Sequence, residues 1–217
     1  DGTFDCYTYP YSGTMVAIGL PHWAKDGGPE RLMAALQDAD DRARMKREIS
    51  RDRLENNWLT NFTQPQNRQY DGRLITDIAE MRNQDPEDAL FDLLMEENLG
   101  ISTVGLGTNP HTLWAFVSHP MGMIASDAIL FGEYPNPRTY GCFPIVLAEF
   151  VRAEKHLSLP EAIRKMTSFP AQRLGIPDRG LLRDGFKADI VLFNPDTVKT
   201  HATKEDPKHY PVGIDYV

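Results

Sequence analysis

Hydrophobic and polar positions along this chain follow two alternating periods, and each change of period marks an element. Residues 3–18 are rich in Tyr, Thr, Phe and Val and read as strand or loop; Gly27-Gly28-Pro29 then punctuates before a helical stretch with Leu32, Met33 and Leu36 on one face. Residues 40–49 are charge-dense, with Asp40 and Arg44, and Arg44 and Glu48, four apart, the spacing of a solvated helix face rather than of a basic patch. Residues 58–63 (WLTNFT) alternate like a short strand, and residues 65–72 read as loop. Asp85-Pro86-Glu87-Asp88 supplies an N-cap, a first-turn proline and acids at the positive helix end; Ala89, Leu90, Leu93 and Leu94 continue that helix until Gly100 closes it.

Downstream, residues 101–106 (ISTVGL) and 121–125 (MGMIA) are short apolar strands with a helix between them over residues 110–118. Helix then strand, twice over, predicts parallel pairing and an α/β fold. After a loop rich in Pro and Gly (residues 132–141), residues 145–153 are amphipathic, and Ser158-Leu159-Pro160-Glu161 is a capping box opening a helix through Met166. Past Gly175 the pattern changes to short strands with turn residues between them (Gly180-Leu181-Leu182, Asp184-Gly185, then ADIVLF over 188–193), closer to an antiparallel β unit. A domain boundary is expected near residue 176, with residues 1–175 and 176–217 on either side.

The chain has 217 residues, about one and a half domains at roughly 150 residues each, and short of the roughly 250 of a complete (β/α)8 barrel. With 41% hydrophobic and 25% charged residues it belongs among folded globular chains, not disordered ones. Lys plus Arg number 23 against 31 Asp plus Glu, a net charge of −8, which disfavours a nucleic-acid partner. Cys6 and Cys142 are too few for a disulfide framework or a cysteine-built zinc site and suit a reducing cytosol, so a cytoplasmic location is expected. No run of 18 apolar residues predicts a membrane span, and the first residues, DGTFDCYTYP, lack the order of a secretory signal, which is expected to be absent or removed. Asn61-Phe62-Thr63 fits a glycosylation acceptor but reads as structural.

The six histidines form neither an H-x-H pair nor an H-E-x-x-H, so this chain alone offers no recognisable set of zinc ligands. His119, just before Pro120, reads as structural or exposed. No G-x-S-x-G nucleophile elbow or G-x-x-x-x-G-K phosphate loop is present. Asp127 follows an apolar strand, where parallel barrels place catalytic groups; an N-cap or turn aspartate is the alternative. Arg138 stands eleven residues on in the proline-braced Tyr134-Pro135-Asn136-Pro137-Arg138, suited to clamp a substrate carboxylate with two hydrogen bonds, or else to pack on Tyr140 at the surface. Tyr7, Tyr9 and Tyr11 bring hydroxyls that suit a pocket wall, with core or rim packing as the alternative.

Several blocks carry a resemblance. Ile124-Ala125-Ser126-Asp127-Ala128, the run from Pro135 to Pro144 (PNPRTYGCFP), the run from Lys165 to Gly175 (KMTSFPAQRLG), the run from Asp178 to Val191 (DRGLLRDGFKADIV) and Tyr9-Pro10-Tyr11 together resemble the C-terminal part of an N-acyl-D-amino-acid deacylase of the amidohydrolase superfamily. The resemblance implies the C-terminal portion of a (β/α)8 barrel with part of an adjoining small β-sandwich, and hydrolysis of the amide of N-acyl-D-amino acids with zinc in the complete enzyme. Asp127 matches the carboxylate at the end of the last barrel strand, which moves a proton from metal-bound water to the leaving amine. Arg138 matches an arginine that holds the substrate's α-carboxylate, and Ser126, Tyr9 and Tyr11 are implied as substrate contacts. The H-x-H pair, the bridging ligand and the later histidines have no counterpart here. Asp127 is the one residue open to ligation, and this chain alone is expected to bind no zinc and to be inactive. Asp1 in place of Met fits an internal start. A partial barrel leaves unpaired strand edges, so the chain is expected to fold against the missing N-terminal half or a second copy. Two rival readings are a non-catalytic association subunit derived from a barrel and an amidohydrolase of cyclic amides.

Overall fold

The structure is a computed structural model that describes residues 2–50, 55–130 and 132–217. In chain order its strands are β1 (Phe4–Cys6), β2 (Tyr11–Met15), β3 (Asn57–Thr60), β4 (Arg73–Leu74), β5 (Ser102–Leu106), β6 (Gly122–Ile124), β7 (Leu192–Phe193) and β8 (Ile214–Tyr216). They fall, with the helices between them, into two compact units and make the expected α/β chain. One unit comprises Asp1–Pro10, Thr108–Leu130 and Asn136–Val217, the other Tyr11–Gly107 and Phe131–Pro135.

In the first unit β1 and β6 pair in parallel, Phe4 opposite Gly122 and Cys6 opposite Ile124. The helix Pro110–Ser118 leads into β6; Asn109 caps it by accepting the His111 N–H at 2.8 Å, and Pro110 occupies a first-turn position where no N–H is needed. Gly122 has to be small, because a Cβ there would lie 2.8 Å from the Phe116 carbonyl oxygen. Lys165, fully buried on the helix Leu159–Met166, donates its ammonium to the carbonyls of His119 and Gly122 and so pins the start of β6. His119 ends the preceding helix, its Nδ1 accepting the Met121 N–H, in keeping with a structural part.

The loop expected over residues 132–141 is shorter than predicted, because a helix begins at Arg138 and runs to Ile145. Its prolines do not prevent this. Asn136 Oδ1 accepts the Arg138 N–H at 3.1 Å, and Pro137 stands before the first turn, where no backbone bond is lost. Pro144 lies within the helix, and the chain continues as a π-helix over Val146–Ala153, the amphipathic stretch read from the sequence. Leu113, Val117, Ile124, Cys142, Val146 and Phe150 make the core here. Residues 176–217 belong to this same unit. Val198 is fully buried in the core, and Arg152 donates to the carbonyls of Pro195 and Val198. β7 and β8 pair antiparallel, as expected, although only Leu192 and Phe193 of residues 188–193 are strand.

The second unit is a four-stranded antiparallel sheet in the order β2-β5-β3-β4. This corrects one expectation. Residues 101–106 do form a strand, but β5 lies antiparallel between β2 and β3 instead of beside β6, whose parallel partner is β1. An apolar period identifies a strand without naming its neighbour. The helices Pro29–Gln37, Ala39–Glu48, Ile75–Arg82 and Pro86–Glu96 supply the core against Leu59, with Leu36, Met45, Ile78 and Phe91 fully buried. Arg42 fastens this layer: it reaches Asp92 at 2.9 Å and Asp88 at 3.1 Å and lies over the Phe91 ring. Arg44 and Glu48 form the expected i,i+4 pair.

Candidate active site

The site grows from the end of β6. One residue beyond the strand, Ala125 is anchored on both backbone groups: its N–H donates to the Cys6 carbonyl at 3.0 Å and its carbonyl accepts the Cys142 thiol at 3.2 Å. Thr8 ties the same helix down by donating to the Cys142 carbonyl at 2.7 Å. With Ala125 fixed, the chain leaves the strand through a local side-chain-to-backbone turn at Ser126 and Asp127. Asp127 adopts φ +45°, the left-handed region that aspartate tolerates better than most residues, and Ser126 Oγ accepts the Ala128 N–H at 3.4 Å.

This turn leaves the Asp127 side chain 64% exposed, while Arg138, which grips it, is 3% exposed. Arg138 Nε and Nη2 both donate to the Asp127 carbonyl, at 3.1 and 2.9 Å, and Nη2 also donates to Oδ2 at 2.5 Å. The guanidinium carbon lies over the Tyr7 ring, 4.2 Å from its centroid. Aromatic ring, guanidinium and carboxylate thus connect in series, from half-buried Tyr7 outwards to solvent. The outcome is a carboxylate fixed in direction yet open at its outer edge.

The two thiols nearby are structural. Burial pushes Cys6 up to about 11 and raises Cys142 as well, so both stay protonated near neutrality and neither is a nucleophile there.

Of the residues expected in the site, Asp127, Arg138 and Ser126 come together. Tyr9 is used differently: it is 5% exposed, its hydroxyl donates to the Ala202 carbonyl at 3.3 Å and lies 3.4 Å from the Thr200 hydroxyl, and burial raises its pKa. That is the core-packing alternative. Tyr11 lies on β2 in the other unit, edge-on to Trp58. Tyr7, read from the sequence only as a pocket-wall hydroxyl or packing residue, instead lies beneath Arg138 with its ring, and the buried Lys165 is a residue that the sequence reading does not single out. Lys165 was detectable in principle, since it stands three residues after Ala162 on the apolar side of its helix. Nothing in the sequence distinguishes Tyr7 from the tyrosines that follow it.

Among the described residues no three His, Cys, Asp or Glu side chains converge to hold a metal ion. The Asp127 carboxylate has a guanidinium, not a second ligand, beside it. The residues present therefore do not form a metal site.

Comparison with known proteins gives the class. Residues 69–213 match the profile of the amidohydrolase family. The chain belongs to that family. It is 44% identical over 100 residues to N-acyl-D-aspartate deacylase of Alcaligenes xylosoxydans xylosoxydans, covering 46% of this chain and 20% of the relative. It is 40% identical over 99 residues to N-acyl-D-glutamate deacylase of the same organism, again covering 46% and 20%. Among solved structures, N-acyl-D-glutamate deacylase from Bordetella bronchiseptica, complexed with zinc and a phosphonate inhibitor, superposes with a TM-score of 0.74 at 26% identity, over 98% of this chain and 37% of that one. A D-aminoacylase crystal structure superposes with a TM-score of 0.71 at 26% identity, over the same shares. The matched region thus spans about a fifth of the length of these curated relatives and little more than a third of the solved chains.

Proposed function

We propose that this chain is part of an amidohydrolase that cleaves the amide C–N bond of N-acyl-D-amino acids, with Asp127 as the general acid/base. The observation that carries the reading is the Asp127 carboxylate itself, exposed at the end of a parallel strand and held in one direction by a buried arginine. The substrate class is supported by the relatives, which act on N-acyl-D-aspartate and N-acyl-D-glutamate. In this reading the unit containing β1 and β6 is a portion of a (β/α)8 barrel, residues 176–217 are part of a β-sandwich, and the zinc ligands of the complete enzyme lie outside the described residues.

The chemistry assigned to Asp127 is a proton transfer in two stages. As water adds to the acyl carbon, a carboxylate oxygen of Asp127 takes a proton from it. As the C–N bond breaks, the same oxygen gives that proton to the departing nitrogen, so that a carboxylic acid and a free amine leave and the aspartate is regenerated. Arg138 is assigned the α-carboxylate of the substrate on the resemblance; in this structure its Nε and Nη2 are engaged by Asp127, so a substrate carboxylate would have to share or displace those bonds.

Asp127→Asn in the full-length enzyme tests the reading. Turnover of an N-acyl-D-amino acid is expected to fall by about two to four orders of magnitude, with an unchanged circular dichroism spectrum and melting temperature. Retained turnover removes Asp127 from the mechanism. Assays with N-acyl-L-amino acids and cyclic amides alongside define the substrate class.

A further inference from the structure

Tyr7 packs against the core of its unit, and its ring also meets Arg138, a contact that takes no part in the proton-transfer step. A guanidinium with five N–H donors has many ways to satisfy them, and a carboxylate that is 64% exposed cannot by itself hold one in place. Several contacts act on Arg138 besides its bond to the Asp127 carboxylate. Asn136 Oδ1 fixes its backbone N–H, and the Asp127 carbonyl takes two of its side-chain donors. The Tyr7 ring adds another, its centroid 4.2 Å from the guanidinium carbon that lies over it. Tyr7 is the residue immediately after β1, the strand paired with β6, so the strand pair that delivers Asp127 also delivers the ring. Thr8, next in sequence, is bonded to Cys142, four residues after Arg138. Ring and cation are thus carried on elements tied to each other by separate hydrogen bonds.

From this arrangement we infer that Tyr7 is a positioning residue: the face of its ring fixes the plane of the Arg138 guanidinium, which in turn aims the Asp127 carboxylate. The attraction is electrostatic, between the negative ring face and the cation, and strengthens where water is excluded, as it is around an arginine 3% exposed. It therefore depends on the electron density of the ring, not only on its shape. The inference rests on the proposed role of Asp127 as general acid/base.

The test separates ring electronics from packing. In the full-length enzyme Tyr7→Leu, which keeps apolar bulk without a π-face, is expected to lower kcat/KM for an N-acyl-D-amino acid about tenfold, and Tyr7→Phe to recover most of it. Site-specific replacement of Tyr7 by phenylalanines of increasing fluorination, which weaken the ring face at nearly constant shape, is expected to lower kcat/KM stepwise. The Arg138 Nε–H resonance is followed in the same proteins and is expected to lose its protection from solvent exchange in the same order. Flat kcat/KM and flat exchange across the fluorinated series overturn the inference, and so does full activity of Tyr7→Leu. Should the leucine variant fail to fold, the fluorinated series alone decides. Asp127→Asn, assayed in parallel, keeps the two ideas apart. If it stays active, the reading of Asp127 fails whatever Tyr7 does. If it is inactive while the Tyr7 variants behave like the parent, only the present inference fails.

Discussion

Glu97 is a carboxylate almost out of water, 4% exposed, and it holds together the loop after β3. It accepts the Thr63 N–H and hydroxyl, both at 2.7 Å, the Gln64 N–H at 3.1 Å and the Asn67 amide at 2.9 Å. Burial pushes its pKa up, but the hydrogen bonds from Thr63, Asn67 and Gln64 outweigh it and leave the carboxyl below its ordinary value. Because the folded pKa is the lower one, the stabilisation is fully present above the unfolded value of about 4.3 and is lost as the pH falls through the folded value. Glu97→Gln is therefore expected to cost about 2–3 kcal/mol at pH 7 and to flatten the acid limb of the stability curve, measured by urea unfolding at a series of pH values. An unchanged acid limb would exclude this carboxylate as a source of acid sensitivity. Sequence reading found Asp127 at this scale because a strand end is visible as a change of pattern. Glu97 and the contact of Tyr7 with Arg138 are not legible there, because they depend on partners 34 and 131 residues away, which no local period reports.

At the scale of elements, the helix Arg138–Ile145 packs closely because of one missing side chain. A Cβ on Gly141 would meet the Tyr9 hydroxyl at 1.9 Å and Thr200 Oγ1 at 2.6 Å, both held in the interior. Gly141→Ala is expected to destabilise the protein by about 2–3 kcal/mol, seen as a lower denaturant midpoint. The loss should shrink in a Tyr9→Phe background, where the nearest clashing atom is gone. Equal losses in the two backgrounds would mean that the ring itself, not its hydroxyl, sets the limit. Helix starts were legible wherever a cap was written locally: Asp85 and Ser158 accept the N–H groups of Glu87 and Glu161 as their spacing predicts. Strand partners were not. β6 finds its neighbour more than a hundred residues back in the chain, and β5 is paired on both edges within another unit.

For the molecule as a whole, the exposed apolar side chains are informative. Leu130, Leu174 and Leu182 are 81%, 75% and 85% exposed, and β1 and β6 are paired with each other and with no other strand among the described residues. Strand edges and apolar surface of this kind favour association. The chain purified alone is expected to self-associate or to require the rest of the polypeptide, as measured by light scattering coupled to size exclusion. A monodisperse monomer over a range of concentrations would end that expectation. No helix among the described residues is long and apolar enough to cross a membrane. The fold class was legible here because helices and strands alternate. The antiparallel sheet of the second unit was not, since interrupting one sheet to build another leaves each strand looking the same in sequence.

The left-handed backbone at Asp127 governs which chemical probe of that side chain is informative. Asparagine is at home in the same conformation and removes the capacity to carry a proton together with the charge paired to Arg138, whereas alanine adds a backbone penalty of about 1 kcal/mol and glycine adds freedom to the main chain. A loss of turnover on going to asparagine is therefore a statement about the carboxylate's proton and charge, while the same loss with alanine would mix in the shape of the main chain.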